Sequence, residues 1–263
     1  MRTKVGLRAV VLAYLAIVLI GPLALVFWSA FQHGLAPAWD AISSPDAVAA
    51  FKLTLITAAI AVPANTVFGI LAALVLTRRR LPGRRVIGAI IDLPLALSPV
   101  VVGLALVLVW GRSGWFGGWV IDHGVPVIFA LPGIVLATIV VSLPFVTREL
   151  VPVLKELGVD QEEAAVTLGA NWFQVAWRIT LPAVRYGLAY GVVLTTARVI
   201  GEYGAVAVVS GNIAGQSETA TLYVQDRFQA FDLVGAYSAS VVLALISIAT
   251  VATLRSLNRR GSK

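Results

Sequence analysis

The stretch EAAVTLGANWFQVAWRITLP, Glu163 to Pro182, is polar and lies between two long apolar runs. Its local chemistry predicts two short helices around a turn. Asp160 can serve as an N-cap, and Gln161, Glu162 and Glu163 follow in a first turn where the helix dipole favours negative charge. Gly169 comes after the last turn, where a left-handed backbone is cheapest for a residue without Cβ. Asn171 and Trp172 can then begin a second helix that Pro182 constrains. Ala164, Ala165 and Leu168 recur at helical spacing on one small apolar face. That face is too narrow for a core of its own but wide enough for a partner's groove, so the segment reads as a docking element.

The spacing is Glu163-Ala164-Ala165, three residues, Gly169, nine residues, then Ile179-x-Leu181-Pro182. It resembles the EAA loop of ATP-binding-cassette importer permeases. In that family an ATPase engages this loop, so the resemblance implies an ATPase-coupling role for Glu163, Ala164, Ala165, Gly169, Ile179, Leu181 and Pro182.

The rest of the chain fits a bilayer. Of its 263 residues 59% are hydrophobic and only 13% charged, too apolar for a soluble domain. No Ser/Gly-rich linker divides it, so one membrane domain over residues 1–263 is the simplest organisation. The net charge of +7 could suggest nucleic acid, but the cations cluster at the ends of apolar runs, which is a topology signal and points to membrane lipid instead. With no cysteine, there is no disulfide, thiolate nucleophile or Cys-ligated metal. Both histidines, His33 and His123, fall in expected loops.

Taken in order, Arg2, Lys4 and Arg8 precede an apolar run over about 9–28, too long for a signal-peptide core and so expected to span. Further spans are expected at about 53–77, 86–110, 127–146, 187–209 and 233–254. The second ends in Arg78-Arg79-Arg80 with Arg84 and Arg85 close behind, and that cluster is expected to be cytoplasmic. In the third, Pro94 and Pro99 bend the helix and free carbonyls, so this span is expected to face protein rather than lipid. A Gly/Trp-rich stretch from Gly111 to Pro126 reads as an outer interfacial loop. Arg148, Lys155, Arg178 and Arg185 place the coupling loop, about 160–182, on the side of the arginine cluster. Arg112, Arg227 and Lys52 fall outside and Arg198 within a span, leaving sixteen of the 20 Lys and Arg at inner ends. The expected fold is an all-α membrane protein of six transmembrane helices with both termini cytoplasmic.

Chemistry-bearing residues are few. No lysine is followed by Ser or Thr, so there is no phosphate-binding P-loop, and the chain is not expected to hydrolyse ATP. A membrane enzyme would need an intramembrane nucleophile–base pair or carboxylate dyad, and no span carries one. Arg198 and Glu202 sit four apart inside the fifth span, where each isolated charge costs about 2.5–3.5 kcal/mol or more. They can neutralise one another, line an anion path, or both. Gly201 and Gly204 allow close packing, the first expectation, or a local break. Asp92 is expected to pair with an inner-side cation, and Ser98 to bond a carbonyl freed by the kinks or an oxyanion. Ser210 to Asp232 forms an outer segment in which Val224, Phe228 and Phe231 make an apolar stripe, an anchor or an outer gate. Ser98, Arg198, Glu202 and Ser210 are thus the candidate pathway residues.

The resemblance extends over nearly the whole chain. Ile91-Asp92-Leu93-Pro94 through Ser98-Pro99-Val100-Val101, Gln161 through Pro182, and Ile200-Gly201-Glu202-Tyr203-Gly204 through Ser210-Gly211-Asn212-Ile213 look like the sulfate/thiosulfate importer permeases, W-type. It departs at Tyr203, where the resemblance leads one to expect Phe, and at Ser217 to Leu222, where relatives tend to carry a Thr-Leu-Pro run. The resemblance implies the type I importer fold, a T-type permease as partner, and an ATPase dimer that binds ATP and Mg. It also implies an extracytoplasmic sulfate-binding protein and location in a bacterial inner membrane, with no cofactor on this chain. A molybdate or tungstate permease keeps the same architecture. An ion-coupled carrier is the other alternative, and no inverted repeat supports it.

Overall fold

The computed structural model describes residues 10–11, 13–78 and 82–261, except for the side chains of 251 and 254–261. Arg2, Lys4, Arg8, Arg79, Arg80 and Lys263, and the side chains of Arg255, Arg259 and Arg260, therefore lie outside the described residues. Among those described every element is helical. In order they are α1 (Ala13–Phe31), α2 (Leu35–Ile42), α3 (Pro45–Arg78), α4 (Arg84–Ala96), α5 (Pro99–Trp110), α6 (Gly117–Asp122) and α7 (Leu131–Leu157). There follow α8 (Asp160–Thr167), α9 (Trp172–Val175, continued through a π turn to Ala183), α10 (Arg185–Ile200), α11 (Gly204–Val209), α12 (Ala220–Gln229) and α13 (Leu233–Gly261).

Four helices, α1, α3, α7 and α13, are long and apolar enough to cross a membrane, and the bent pair α4–α5 makes a possible fifth. The boundaries depart from the expected spans for physical reasons. α3 has 34 residues, about 51 Å at 1.5 Å per residue, and outruns a hydrocarbon core of about 30 Å. The fourth span was expected to close before Arg148. The helix instead continues to Leu157, where Gly158, at φ +67°, provides the stop, and along it Arg148 meets Asp92 at 2.9 Å.

Two other expected spans are not single helices. Between Ala96 and Pro99 the axis turns by 109°, far more than a proline kink, since Leu97 and Ser98 are both extended. The expectation that this span faces protein holds only for one side of α5. Gly103 lies so close to α11 that an added Cβ would stand 2.8 Å from the Ala205 carbonyl oxygen, whereas Leu93, Leu97, Leu104 and Leu108 are exposed. The fifth expected span, 187–209, is divided at Gly201–Tyr203 into α10 and α11, and neither is among the helices long and apolar enough to cross a membrane.

The bundle is assembled through small residues, as helices in lipid require. Gly69 of α3 meets Val146 of α7 so closely that a Cβ there would lie 2.5 Å from the Val146 Cβ. One turn away Asn65, fully buried, donates to Ser142 Oγ at 2.7 Å and to the Ile139 carbonyl at 3.2 Å. Below them Ala73, Val146, Leu150, Leu154 and Val184 form the core that carries the loop between α7 and α10.

Candidate functional site

The loop after α7 is built much as its sequence suggests. Asp160, Glu162 and Glu163 occupy the first turn of α8, although Val159 rather than Asp160 takes the N-cap position and no side chain caps the helix. At the other end Gly169 adopts φ +89°. The Ala170 amide donates to Ala165 O at 3.0 Å and the Gly169 amide to Val166 O at 2.9 Å, the paired bonds of a Schellman cap. Two residues later Asn171 and Gln174 form a reciprocal capping box, both bonds 2.9 Å, that starts α9. A glycine-dependent stop and a side-chain start thus fix the angle between the two short helices.

What fastens this hairpin to the bundle was missed in the sequence. Glu162 accepts from Arg78 Nε at 2.8 Å and from Thr180 Oγ1 at 2.8 Å, and Arg78 also donates to the Leu154 carbonyl at 2.9 Å. One half-buried carboxylate therefore ties α8 to the end of α3 and to the returning α9. Arg78 had been read only as a topology charge. The available signal was the i, i+3 spacing of Glu162 and the small Ala165, which puts both on the inward face of α8.

The outward face is accordingly different from the one expected. Ala165 is half-buried, whereas Ala164 and Leu168 point away and Leu168 is 89% exposed. On α9, Trp172, Phe173 and Trp177 are exposed as well, with Phe173 and Trp177 stacked 6.3 Å apart. Glu163 is exposed at its edge and also lines a cavity of about 720 Å³ between α3 and the hairpin. Ile179 and Leu181 are half-buried and Pro182 exposed on the way into α10.

At the far end of α10 the charged pair meets. Arg198 Nη1 lies 2.6 Å from Glu202 Oε2, an ionic contact without aligned hydrogen-bond geometry. Glu202 is buried, its side chain 2% exposed against 30% for Arg198. Its Oε1 accepts from the Ala205 amide at 2.9 Å, which satisfies a free donor at the start of α11, and its carbonyl accepts from Thr221 Oγ1 at 2.7 Å. The carboxylate thus sits in the break and holds it open. Both roles of the glycines are realised: the chain breaks at Gly201, and Gly204 packs on Pro99, where a Cβ would come within 3.0 Å. Thr54, Thr57, Thr138 and Thr219 join Glu202 around a cavity of about 10 Å³, close to the least a single water requires.

The other two candidates stand apart. Ser98 is exposed at the bend, and its hydroxyl meets neither the carbonyl nor any other expected partner among the described residues. Ser210 is fully buried beyond α11, and its Oγ accepts from the Asn212 amide at 3.1 Å. The outer stripe is shorter than its spacing suggests: α12 ends at Gln229, and Phe231, at φ +61°, is off the helix and exposed.

Between α11 and α12 the Glu218 side chain is buried and its Oε2 has no hydrogen-bond partner. Burial first, and then the negative charges of Asp226 and Asp46 against the opposing Arg227, push its pKa from 4.5 up to about 7. The folded protein therefore holds a proton here between about pH 4.5 and 7 that the unfolded chain releases, so stability is lost as pH rises through that window. Glu218→Gln should flatten the dependence of the apparent unfolding temperature on pH between 5 and 8. A slope equal to that of the unaltered chain would assign the titration to another group.

Comparison with known proteins gives a consistent family. The model of "Binding-protein-dependent transport system inner membrane component" matches residues 65–262. The chain is 47% identical to a sulfate transport system permease protein CysW of Synechocystis, over 98% of this chain and 94% of that one. It is 40% identical to a sulfate transport system permease protein CysT of Escherichia coli, over 93% and 90%. A bacterial alginate ABC transporter crystallised with its alginate-bound periplasmic protein shares the fold, with a TM-score of 0.81 over 99% of this chain and 95% of that one at 19% identity. The chain belongs to the binding-protein-dependent transport system inner membrane components, the non-catalytic permeases whose ATPase is a separate chain.

Proposed function

We propose that this permease is the W-type pore subunit of an ATP-driven importer of sulfate and thiosulfate in a bacterial inner membrane. The observation that carries the reading is identity of nearly one half, along almost the whole chain, to a protein named as a sulfate permease. On this reading residues 1–263 form one membrane domain of six passes with both ends cytoplasmic, and the fifth pass is the broken α10–α11. A homologous T-type permease completes the pore, a binding protein delivers the anion outside, and two ATPase subunits carrying ATP and Mg dock inside.

The geometry suggests how the parts work together. The ATPase grips Ala164, Leu168 and the aromatics of α9, with Glu163 at the edge, and Gly169 fixes the angle it meets. Displacement of α8 is carried by Glu162 to Arg78 on α3 and to Thr180 on α9, then through Ile179, Leu181 and Pro182 into α10. That helix ends at Arg198 and Glu202. Arg198 meets Glu202 through charge alone and keeps a partly exposed face, with N–H donors for a passing oxyanion. Ser98, just before α5, and Ser210, just after α11, lie at the two ends of the α5–α11 contact, apart from the pair, as further candidates along the path.

The test is radiolabelled sulfate uptake in a strain lacking its own sulfate permeases, complemented with this chain and its neighbouring subunits. Uptake should need ATP, stop with vanadate and be competed by thiosulfate. Uptake competed only by molybdate would move the cargo to that oxyanion, and uptake insensitive to vanadate would overturn the ATP-driven reading.

A further inference from the structure

A second polar cavity, of about 390 Å³, opens between the first turns of α4 and the last turns of α7. It is separate from both the Arg198–Glu202 pair and the hairpin surface. Its volume lies in the range of about 300–1,000 Å³ usual for small-ligand sites. Arg84, Arg85, Arg148 and Lys155 line it, against the single carboxylate of Asp92. That carboxylate is engaged by Arg148, through Nε at 2.9 Å and Nη2 at 3.4 Å. Arg84, Arg85 and Lys155 have no acidic partner within ion-pair distance among the described residues. The other carboxylates of α7, Glu149 and Glu156, do not line the cavity.

An independent observation points to a ligand. Thr147, on the cavity wall, is 3% exposed, and its Oγ1 has no hydrogen-bond partner. A helical threonine normally returns its hydroxyl to the carbonyl one turn back, as Thr138 does in the same helix at 2.8 Å. A buried hydroxyl without a partner in the chain costs about 1–3 kcal/mol, so a ligand oxygen here would be favoured. Orientation in the membrane needs cations at this end of the bundle, but not their convergence on one cavity with an unpaired hydroxyl in its wall. The start of α4 adds to the field: Gly83, at φ +78°, precedes Arg84 and Arg85, whose backbone amides make no hydrogen bond within the helix.

We propose that this cavity binds a tetrahedral oxyanion of the phosphate or sulfate type, either free or carried as the headgroup of an anionic lipid. The two arginine forks and the lysine supply charge-assisted donors suited to an anion with several oxygens, and Thr147 supplies the neutral one. Gly88 leaves the cavity open: a Cβ there would meet nothing within 4 Å, so a larger side chain occupies the space without removing a charge.

The test uses the full-length chain, purified with whatever subunits accompany it, in nanodiscs. In one arm the discs contain phosphatidylcholine alone, and sulfate is titrated at constant ionic strength while the unfolding temperature is followed. In the other they contain phosphatidylglycerol as well, and the lipid retained per protein is counted by mass spectrometry. Saturable binding in the first arm that Gly88→Leu removes identifies a free anion in this cavity, and retention in the second that the same change removes identifies a lipid headgroup; either supports the site. The paired change Arg84→Gln, Lys155→Gln should weaken the binding at least tenfold, Thr147→Val severalfold, and Gly88→Leu should abolish it, whereas Arg178→Gln, a charge removed elsewhere, should leave it intact. Absence of saturable binding in both arms, or binding unchanged by Gly88→Leu and by the paired change, overturns the proposal. Sulfate uptake lost or retained bears on the cargo and not on this site, so the two readings fail separately.

Discussion

Gly169→Val should leave the protein inserted in the membrane at normal abundance and yet reduce ATP-driven uptake by roughly tenfold or more. Nothing lies within 4 Å of the position a Cβ would take, so the substitution causes no steric clash with the bundle. Its cost is entirely in the backbone. Gly169 is held at φ +89°, a region that a β-branched residue resists by about 1–3 kcal/mol. The strain is relieved by giving up the two Schellman bonds, which frees α9 to change its angle to α8. Because about 1.4 kcal/mol corresponds to a factor of ten in an equilibrium, a shift of this size in the docked geometry is enough to uncouple most complexes. Gly169→Asn, which tolerates a left-handed backbone better, should retain more uptake than valine.

Two companion variants separate docking from transmission. Ala164→Glu places a charge on the exposed face and should release the ATPase on co-purification. Glu162→Gln keeps the face but weakens the ties to Arg78 and Thr180, so the ATPase should remain bound while uptake falls. Normal uptake and normal ATPase association in both Gly169→Val and Ala164→Glu would remove the hairpin from the coupling path.

The hairpin was legible because its determinants are local. An acidic first turn, a glycine stop and an asparagine start act within three or four residues of themselves, and spacing alone displays them. The Glu162 clamp was not, since Arg78 and Thr180 lie 84 and 18 residues away and no periodicity joins them. The bend at Ser98 shows the boundary between the two cases. Pro94 and Pro99 announce a departure from the helix, but its 109° depends on Pro99 and Gly103 seating against α11, which only the folded chain provides. The break at Gly201 was visible as a possibility in the two glycines flanking a carboxylate. It is decided by Glu202, which satisfies an amide of the next helix instead of continuing its own.

Replacing Arg198 by Gln should lower membrane abundance far more than replacing Glu202 by Gln. In Arg198→Gln a carboxylate only 2% exposed loses its counter-charge, and stranding one member of a buried pair costs about 3–5 kcal/mol. In Glu202→Gln the amide oxygen can still accept from the Ala205 amide, and Arg198, 30% exposed, can turn its charge toward more polar surroundings. The double change Arg198→Gln, Glu202→Gln leaves no unpaired charge and should recover much of the abundance lost by Arg198→Gln alone, so the two losses are not additive. Strictly additive losses of folded protein in membranes would rule out the coupling that the 2.6 Å contact implies. The same cycle separates structure from transport. If the pair serves only to neutralise itself, the double variant should regain uptake along with abundance. If Arg198 also offers its free N–H donors to the anion, abundance returns while sulfate uptake stays at least tenfold low, and Arg198→Lys, which keeps the charge but loses the planar fork, should fold well and transport poorly.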